Sequence, residues 1–182
     1  MTRARDVASS GGLTLISTTT IGSGVTTVPV DNVFNSTYRN YQIVINGAQT
    51  ATIDGYLMQL RAAGSTLAGT GYFFSGMETQ ASGSTITQRL GNGVNSWRIG
   101  IGGGTNAASS YNFIVDVFQP AVATATNIFA RATTRDPGTL GNVYQTMSGS
   151  NSSALAYDGF TLSMAGSVTI TGGIVQVYGL RN

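Results

Sequence analysis

An all-β fold is predicted by three features of the sequence. Apolar and polar residues alternate with period two along most of the chain, and no segment keeps the helical period. Turn-forming pairs, among them Asn46-Gly47, Asp54-Gly55, Asn92-Gly93, Asp136-Pro137-Gly138 and Asp158-Gly159, punctuate the alternating runs. Only 9% of the 182 residues are charged, while 41% are hydrophobic and 25 are glycine, so Ser, Thr, Asn and Gln must supply the polar surface. Such a chain can bury enough apolar surface to fold. Many short strands at near-regular spacing then predict one domain, a jelly-roll-like antiparallel β-sandwich over residues 13–182 behind a flexible N-terminal arm, residues 1–12.

The arm is small, polar and glycine-ended, a composition that orders only against a partner. A first strand is read at Leu13-Thr14-Leu15-Ile16. The run Val25 to Val30 contains Pro29, which cannot donate to a ladder and so marks a strand end or a sheet edge. Asp31 before Asn32-Val33-Phe34 predicts an N-cap and one short helical turn. Tyr41, Ile43 and Ile45 alternate with Gln42, Val44 and Asn46, and Tyr56, Met58 and Leu60 with Leu57, Gln59 and Arg61, giving each run one mostly apolar face. Further strands are expected at Gly71 to Ser75, Thr85 to Leu90, Ser96 to Ile101, Tyr111 to Phe118, Asn127 to Thr133, Asn142 to Met147, Phe160 to Met164, Val168 to Thr171 and Ile174 to Tyr178. The glycines of Gly100-Ile101-Gly102-Gly103-Gly104 are read as a flexible loop, since no helix follows them to make a dinucleotide fingerprint.

Missing residue types exclude whole classes of chemistry. The chain has no cysteine and no histidine, which removes disulfides, thiolate metal sites, cysteine nucleophiles and catalytic triads or zinc centres built on imidazole. All nine cations are arginine, so the lysine of a phosphate-binding loop and Schiff-base chemistry are excluded too. The seven carboxylates, Asp6, Asp31, Asp54, Asp116, Asp136, Asp158 and Glu78, are scattered singly. A carboxylate glycosidase needs two of them about 5–10 Å apart. No catalytic, cofactor-binding or metal-binding residue is assigned, and no enzyme activity is expected. The arginines form no run beyond Arg3 and Arg5, so the net charge of +2 is no nucleic-acid footprint. Neither a signal peptide nor a membrane span is legible, and the expectation is a soluble chain with no nucleic-acid or membrane partner.

Three sets of side chains stand out. Asp116 lies in a run with apolar residues on both faces, which predicts partial burial and a need for a cation. Arg98 in the preceding strand is its expected partner, as a structural ion pair. Tyr72, Phe73 and Phe74 form the densest aromatic cluster and, with Asn92 and Asn95, are candidate surface-binding loops. Together with Tyr38, Tyr41, Tyr111 and Tyr157 these rings could supply sugar-stacking platforms on an exposed sheet, but most of the set is assigned to the core. Asn35-Ser36-Thr37 and Asn151-Ser152-Ser153 match the glycosylation pattern, but only as coincidence in a chain without a signal peptide.

The opening TRARDVASSGGLTLISTTTIGSGV, the stretch VFNSTYRNYQIVING and the closing GGIVQVYG resemble a family of small β-rich virion proteins and tail-fibre modules of tailed bacteriophages, notably those of marine bacteria and cyanobacteria. Residues 62 to 155 depart from that pattern in loop length and composition. The resemblance implies a structural component of the virion surface, made in the host cytoplasm, without catalytic residues. It implies a homotrimer that binds the major capsid protein or another virion protein. One placement is a capsid cement or decoration protein that clamps shell subunits, its arm bearing Arg3, Arg5 and Asp6 ordered on the shell. Arginine suits such a contact because its planar fork binds carboxylates with two bonds. The alternative is a tail-fibre or tail-tip module whose loops bind a host surface glycan.

Overall fold

The computed structural model describes residues 12–50, 52–83, 86–103, 109–136 and 141–180. Fifteen strands follow in chain order: β1 (Leu13–Thr20), β2 (Thr27–Val30), β3 (Asn40–Asn46), β4 (Gln49–Thr50), β5 (Asp54–Ala62), β6 (Ser65–Thr66), β7 (Tyr72–Gln80), β8 (Ile86–Val94), β9 (Trp97–Gly102), β10 (Ser110–Phe118), β11 (Thr126–Asp136), β12 (Gly141–Asn151), β13 (Gly159–Met164), β14 (Ile170–Thr171) and β15 (Ile174–Leu180). Eight of them form one antiparallel sheet in the order β1-β15-β3-β10-β11-β12-β7-β8. The second sheet runs β2-β13-β5-β6, with β9 also paired to β5, and β4 and β14 make a small third ladder. The two large sheets pack face to face as a β-sandwich, unequal in width.

Alternation explains which side chains meet between the sheets. Tyr41, Ile43 and Ile45 of β3 lie opposite Val117, Val115 and Phe113 of β10, and all six are buried. From the second sheet come Tyr56, Met58 and Leu60 of β5, Phe160 and Leu162 of β13, and Trp97 of β9, likewise buried. Each large apolar side chain so enclosed stabilises the fold by about 1.5–3 kcal/mol. Trp97 stacks edge-on to Tyr72 at 5.0 Å, and its indole N–H donates to the Ser150 carbonyl at 3.0 Å, joining the sheets by both kinds of contact.

Strand content and spacing follow the sequence expectation closely, and Pro29 sits on β2, an edge strand of the second sheet. Three local expectations are corrected. No helical turn follows Asp31; the Val33 and Phe34 N–H groups both donate to the Asp158 carbonyl, while Asp31 pairs with Arg61 at 2.6 Å. Asp54-Gly55 and Asp158-Gly159 start strands instead of making turns, because a larger residue does not fit: a Cβ on Gly159 would lie 2.1 Å from the Val30 carbonyl oxygen. The glycine run is not a loop up to Gly102, since Gly100 and Gly102 belong to β9. Their missing side chains let Phe113 and Tyr56 close onto the strand, where a Cβ would stand 2.4 Å from each ring.

Candidate functional site

The outer face of the eight-stranded sheet, turned away from the second sheet, carries the candidate site on β11, β12, β7 and β8. Period-two alternation places Phe129 and Arg131 of β11, Tyr144, Thr146, Ser148 and Ser150 of β12, Phe73, Ser75 and Met77 of β7, and Ile86, Gln88 and Leu90 of β8 on this side. The inward residues of the same strands fill the core or the polar pair described below. Large apolar side chains are unusually open here: Leu90 is 65% exposed, Ile86 62%, Met77 and Tyr144 52%, Phe129 39% and Phe73 37%. Strands β12, β7 and β8 contribute no charged side chain to the face. On β11, the Arg131 guanidinium lies 5.8 Å from the Phe129 ring centre and 3.2 Å from Asp116.

Small residues let a shallow groove of about 500 Å³ form in this face. Phe73, Asn92 and Asn127 stand at its sides, and Ser75, Ser148 and Ser150 line it with hydroxyls. Asn92 reaches the groove from a bulge in β8: the pairing of β7 with β8 slips between Tyr72 and Phe74, and Gly93 adopts φ +64°, which favours glycine. The Asn92-Gly93 pair therefore makes a bulge within a strand, not a turn between two.

Of the residues expected at the site, Phe73, Phe74 and Asn92 line this groove. Phe74 is half-buried over Gly91, and Asn95 is exposed beyond the end of β8, outside the groove, where its carbonyl accepts from the Gln59 amide at 3.0 Å. Tyr72 is a correction: it points inward, is fully buried, and its hydroxyl accepts the Leu60 N–H at 2.9 Å. Burial pushes its phenol up to about 12, against that hydrogen bond. The arm residues Arg3, Arg5 and Asp6 lie outside the described residues.

The expected Arg98–Asp116 pair does not form. Strand β9 belongs to the second sheet, where it pairs with β5, so Arg98 meets Asp54 at 4.0 Å and covers Gly55. Asp116 faces outward from β10, taking the Arg131 guanidinium and a 2.9 Å bond from the Gln42 amide. The buried ion pair is one that the sequence reading missed. Glu78 on β7 is fully buried, held by Arg89 of β8 at 3.0 and 3.2 Å and by the Gln80 amide at 2.7 Å. Its signal was phase: Glu78 shares the inward parity of Tyr72 and Phe74. Burial drives its carboxyl up, but the hydrogen bonds from Arg89 and Gln80, with the Arg89 and Arg98 charges, outweigh that and hold it below the ordinary value.

The described carboxylates are held by cations or by the backbone. Asp31, Asp54, Glu78 and Asp116 are each set against an arginine, and Asp158 accepts the Ala63 N–H at 2.8 Å. Among the described residues no group of three or more carboxylates is placed to hold a metal ion. Asn151 of the second glycosylation-like triplet is fully buried, its amide oxygen accepting from Ser153 N–H at 2.9 Å. No helix among the described residues is long and apolar enough to cross a membrane. Compared with protein-family models, curated proteins and solved structures, the chain finds no match.

Proposed function

We propose that this chain is a non-catalytic structural protein of a tailed-bacteriophage particle, a capsid cement or decoration protein that lays the outer face of its large sheet on shell subunits. The observation that carries this reading is the open face itself. Phe73, Met77, Ile86, Leu90, Phe129 and Tyr144 leave large apolar surfaces in water on four neighbouring strands, interspersed with Ser, Thr and Gln, and so many open apolar side chains on one face suit a surface that another protein covers. A protein that binds only the assembled shell stabilises it by mass action, and repetition over a lattice multiplies the effect without any chemistry.

The test is reconstitution on shells that lack the protein. Phe129→Asp with Met77→Asp places two charges in the centre of the face while leaving the inward core untouched. Co-sedimentation with shells should be lost and the circular dichroism spectrum kept; undiminished co-sedimentation would overturn the reading.

A second reading has an observation of its own. The groove joins an exposed ring, Phe73, to the amides of Asn92 and Asn127 and the hydroxyls of Ser148 and Ser150. A ring face with uncharged hydrogen-bonding groups suits a neutral sugar, as a tail-fibre or tail-tip module would require. Binding on a glycan array that disappears with Phe73→Ala would favour this reading; a silent array would remove it.

A further inference from the structure

Strand β8 ends the eight-stranded sheet. It pairs with β7 from Thr79–Ile86 to Phe74–Gly91 in unbroken register, and among the described residues no strand pairs with its other edge. Free edges usually carry lysine, proline or a bulge against uncontrolled pairing. The opposite edge, β1, has such a bulge in its middle, between Leu15 and Ser17, whereas the bulge of β8 lies at its far end, at Asn92 and Gly93. The stretch Ile86 to Gly91 has none of these devices. Its one charge, Arg89, is tied to the buried Glu78, and Ile86 and Leu90 are the most exposed large apolar side chains among the described residues.

We propose that this edge takes a second copy of the chain, as a two-fold dimer and not the homotrimer that the family resemblance implies: two β8 strands join antiparallel across a two-fold axis centred on Gln88, making one continuous sheet from two. The strand is complementary to itself in that register. A two-fold axis normal to the sheet keeps outward residues outward, so only residues of equal parity face one another. Centring on Gln88 sets Ile86 of each copy against Leu90 of the other, an apolar cross-strand pair made twice. The two Gln88 amides face each other, able to donate and accept in turn. Thr87 faces Arg89 on the inner side, where each arginine is neutralised by its own Glu78, so like charges do not oppose the contact. The paired backbones satisfy groups that otherwise rely on water.

Light scattering on the purified chain at micromolar concentration tests this directly. The expected mass is twice the 18.8 kDa of one chain. Ile86→Lys with Leu90→Lys should halve that mass with the circular dichroism spectrum unchanged, since both side chains are exposed. Gln88→Cys adds the only cysteine. Directly opposed residues on antiparallel strands have Cα atoms about 4.5–5.5 Å apart, within disulfide reach, so mild oxidation should lock the dimer. Thr18→Cys on β1 should not crosslink. A monomeric wild-type chain, a trimer, or a dimer that survives the double lysine change would overturn the proposal, and failure of Gln88→Cys to crosslink would overturn the register. Shell attachment is read here with Phe129→Asp alone, on β11, which β12 and β7 separate from β8, so either proposal can fail without the other.

Discussion

Glu78→Gln is the sharpest probe of how this sandwich is held together. The substitution keeps side-chain size and removes only the charge at the buried end of the Arg89 pair. Breaking a buried ion pair from one side costs about 3–5 kcal/mol when the remaining charge is stranded. Here Arg89 keeps 32% of its side-chain surface in water and can rehydrate, and the new amide still accepts one hydrogen bond, so the expected loss falls to about 2–3 kcal/mol. Urea unfolding at fixed protein concentration measures it. The pH dependence gives an independent check. A carboxyl held below its ordinary value of 4.5 contributes stability that is present above that value and lost as pH falls through the folded-state value. The gap between wild type and variant should therefore be full at neutral pH and close in acid. A loss under about 0.5 kcal/mol, within the range of an ordinary surface substitution, or a gap that persists in acid, would refute the reasoning.

Three further outcomes follow from the same contacts. Gly149→Ala places a Cβ 2.7 Å from Trp97 Cδ1 and 2.9 Å from the Phe73 carbonyl oxygen, and overpacking of that kind should cost about 1–3 kcal/mol in thermal unfolding. Asp116→Asn breaks a half-exposed pair with Arg131 and should change stability by less than about 1 kcal/mol; a larger loss would mean that this carboxylate holds the core. Burial raises the phenols of Tyr41, Tyr56, Tyr72 and Tyr157. A raised folded value gives stability that is fully present below the unfolded value and lost as pH rises through the folded value, so unfolding and ionisation of these tyrosines should appear together above about pH 10 in an absorbance titration. Full ionisation of these four tyrosines with the fold intact would contradict their burial.

Period two carried most of the fold in the sequence because each strand of a sandwich has one dry face. It placed the alternation of Tyr41 to Asn46 and of Tyr56 to Arg61 correctly, while the missing N–H of Pro29 pointed to a strand end or a sheet edge, and β2 is an edge strand. It could not decide sheet membership. Neighbours in sequence need not be neighbours in a sheet, and β9 crosses to β5, which sent Arg98 to Asp54 and left Asp116 to Arg131. Glycine misled for a related reason: Gly55, Gly100 and Gly159 answer to close packing by Arg98, Phe113 and Val30, not to turns. At the candidate site, Phe73 and Asn92 were visible as an aromatic and an amide near turn signals, whereas Tyr72 was separated from Phe73 only by parity. The wide open face was not legible, because Phe129 on β11 is far in sequence from Met77 and Leu90 on the consecutive strands β7 and β8, and only the sheet order brings them together.

Immunogold electron microscopy of intact particles, with antibody raised against the recombinant chain, tests the central claim most directly. The account predicts gold spread over the head, with less of it on particles reconstituted with the Phe129→Asp, Met77→Asp variant. Gold confined to the tail tip would replace shell docking by glycan recognition, and an absence of particle-associated gold would contradict a structural role in the virion.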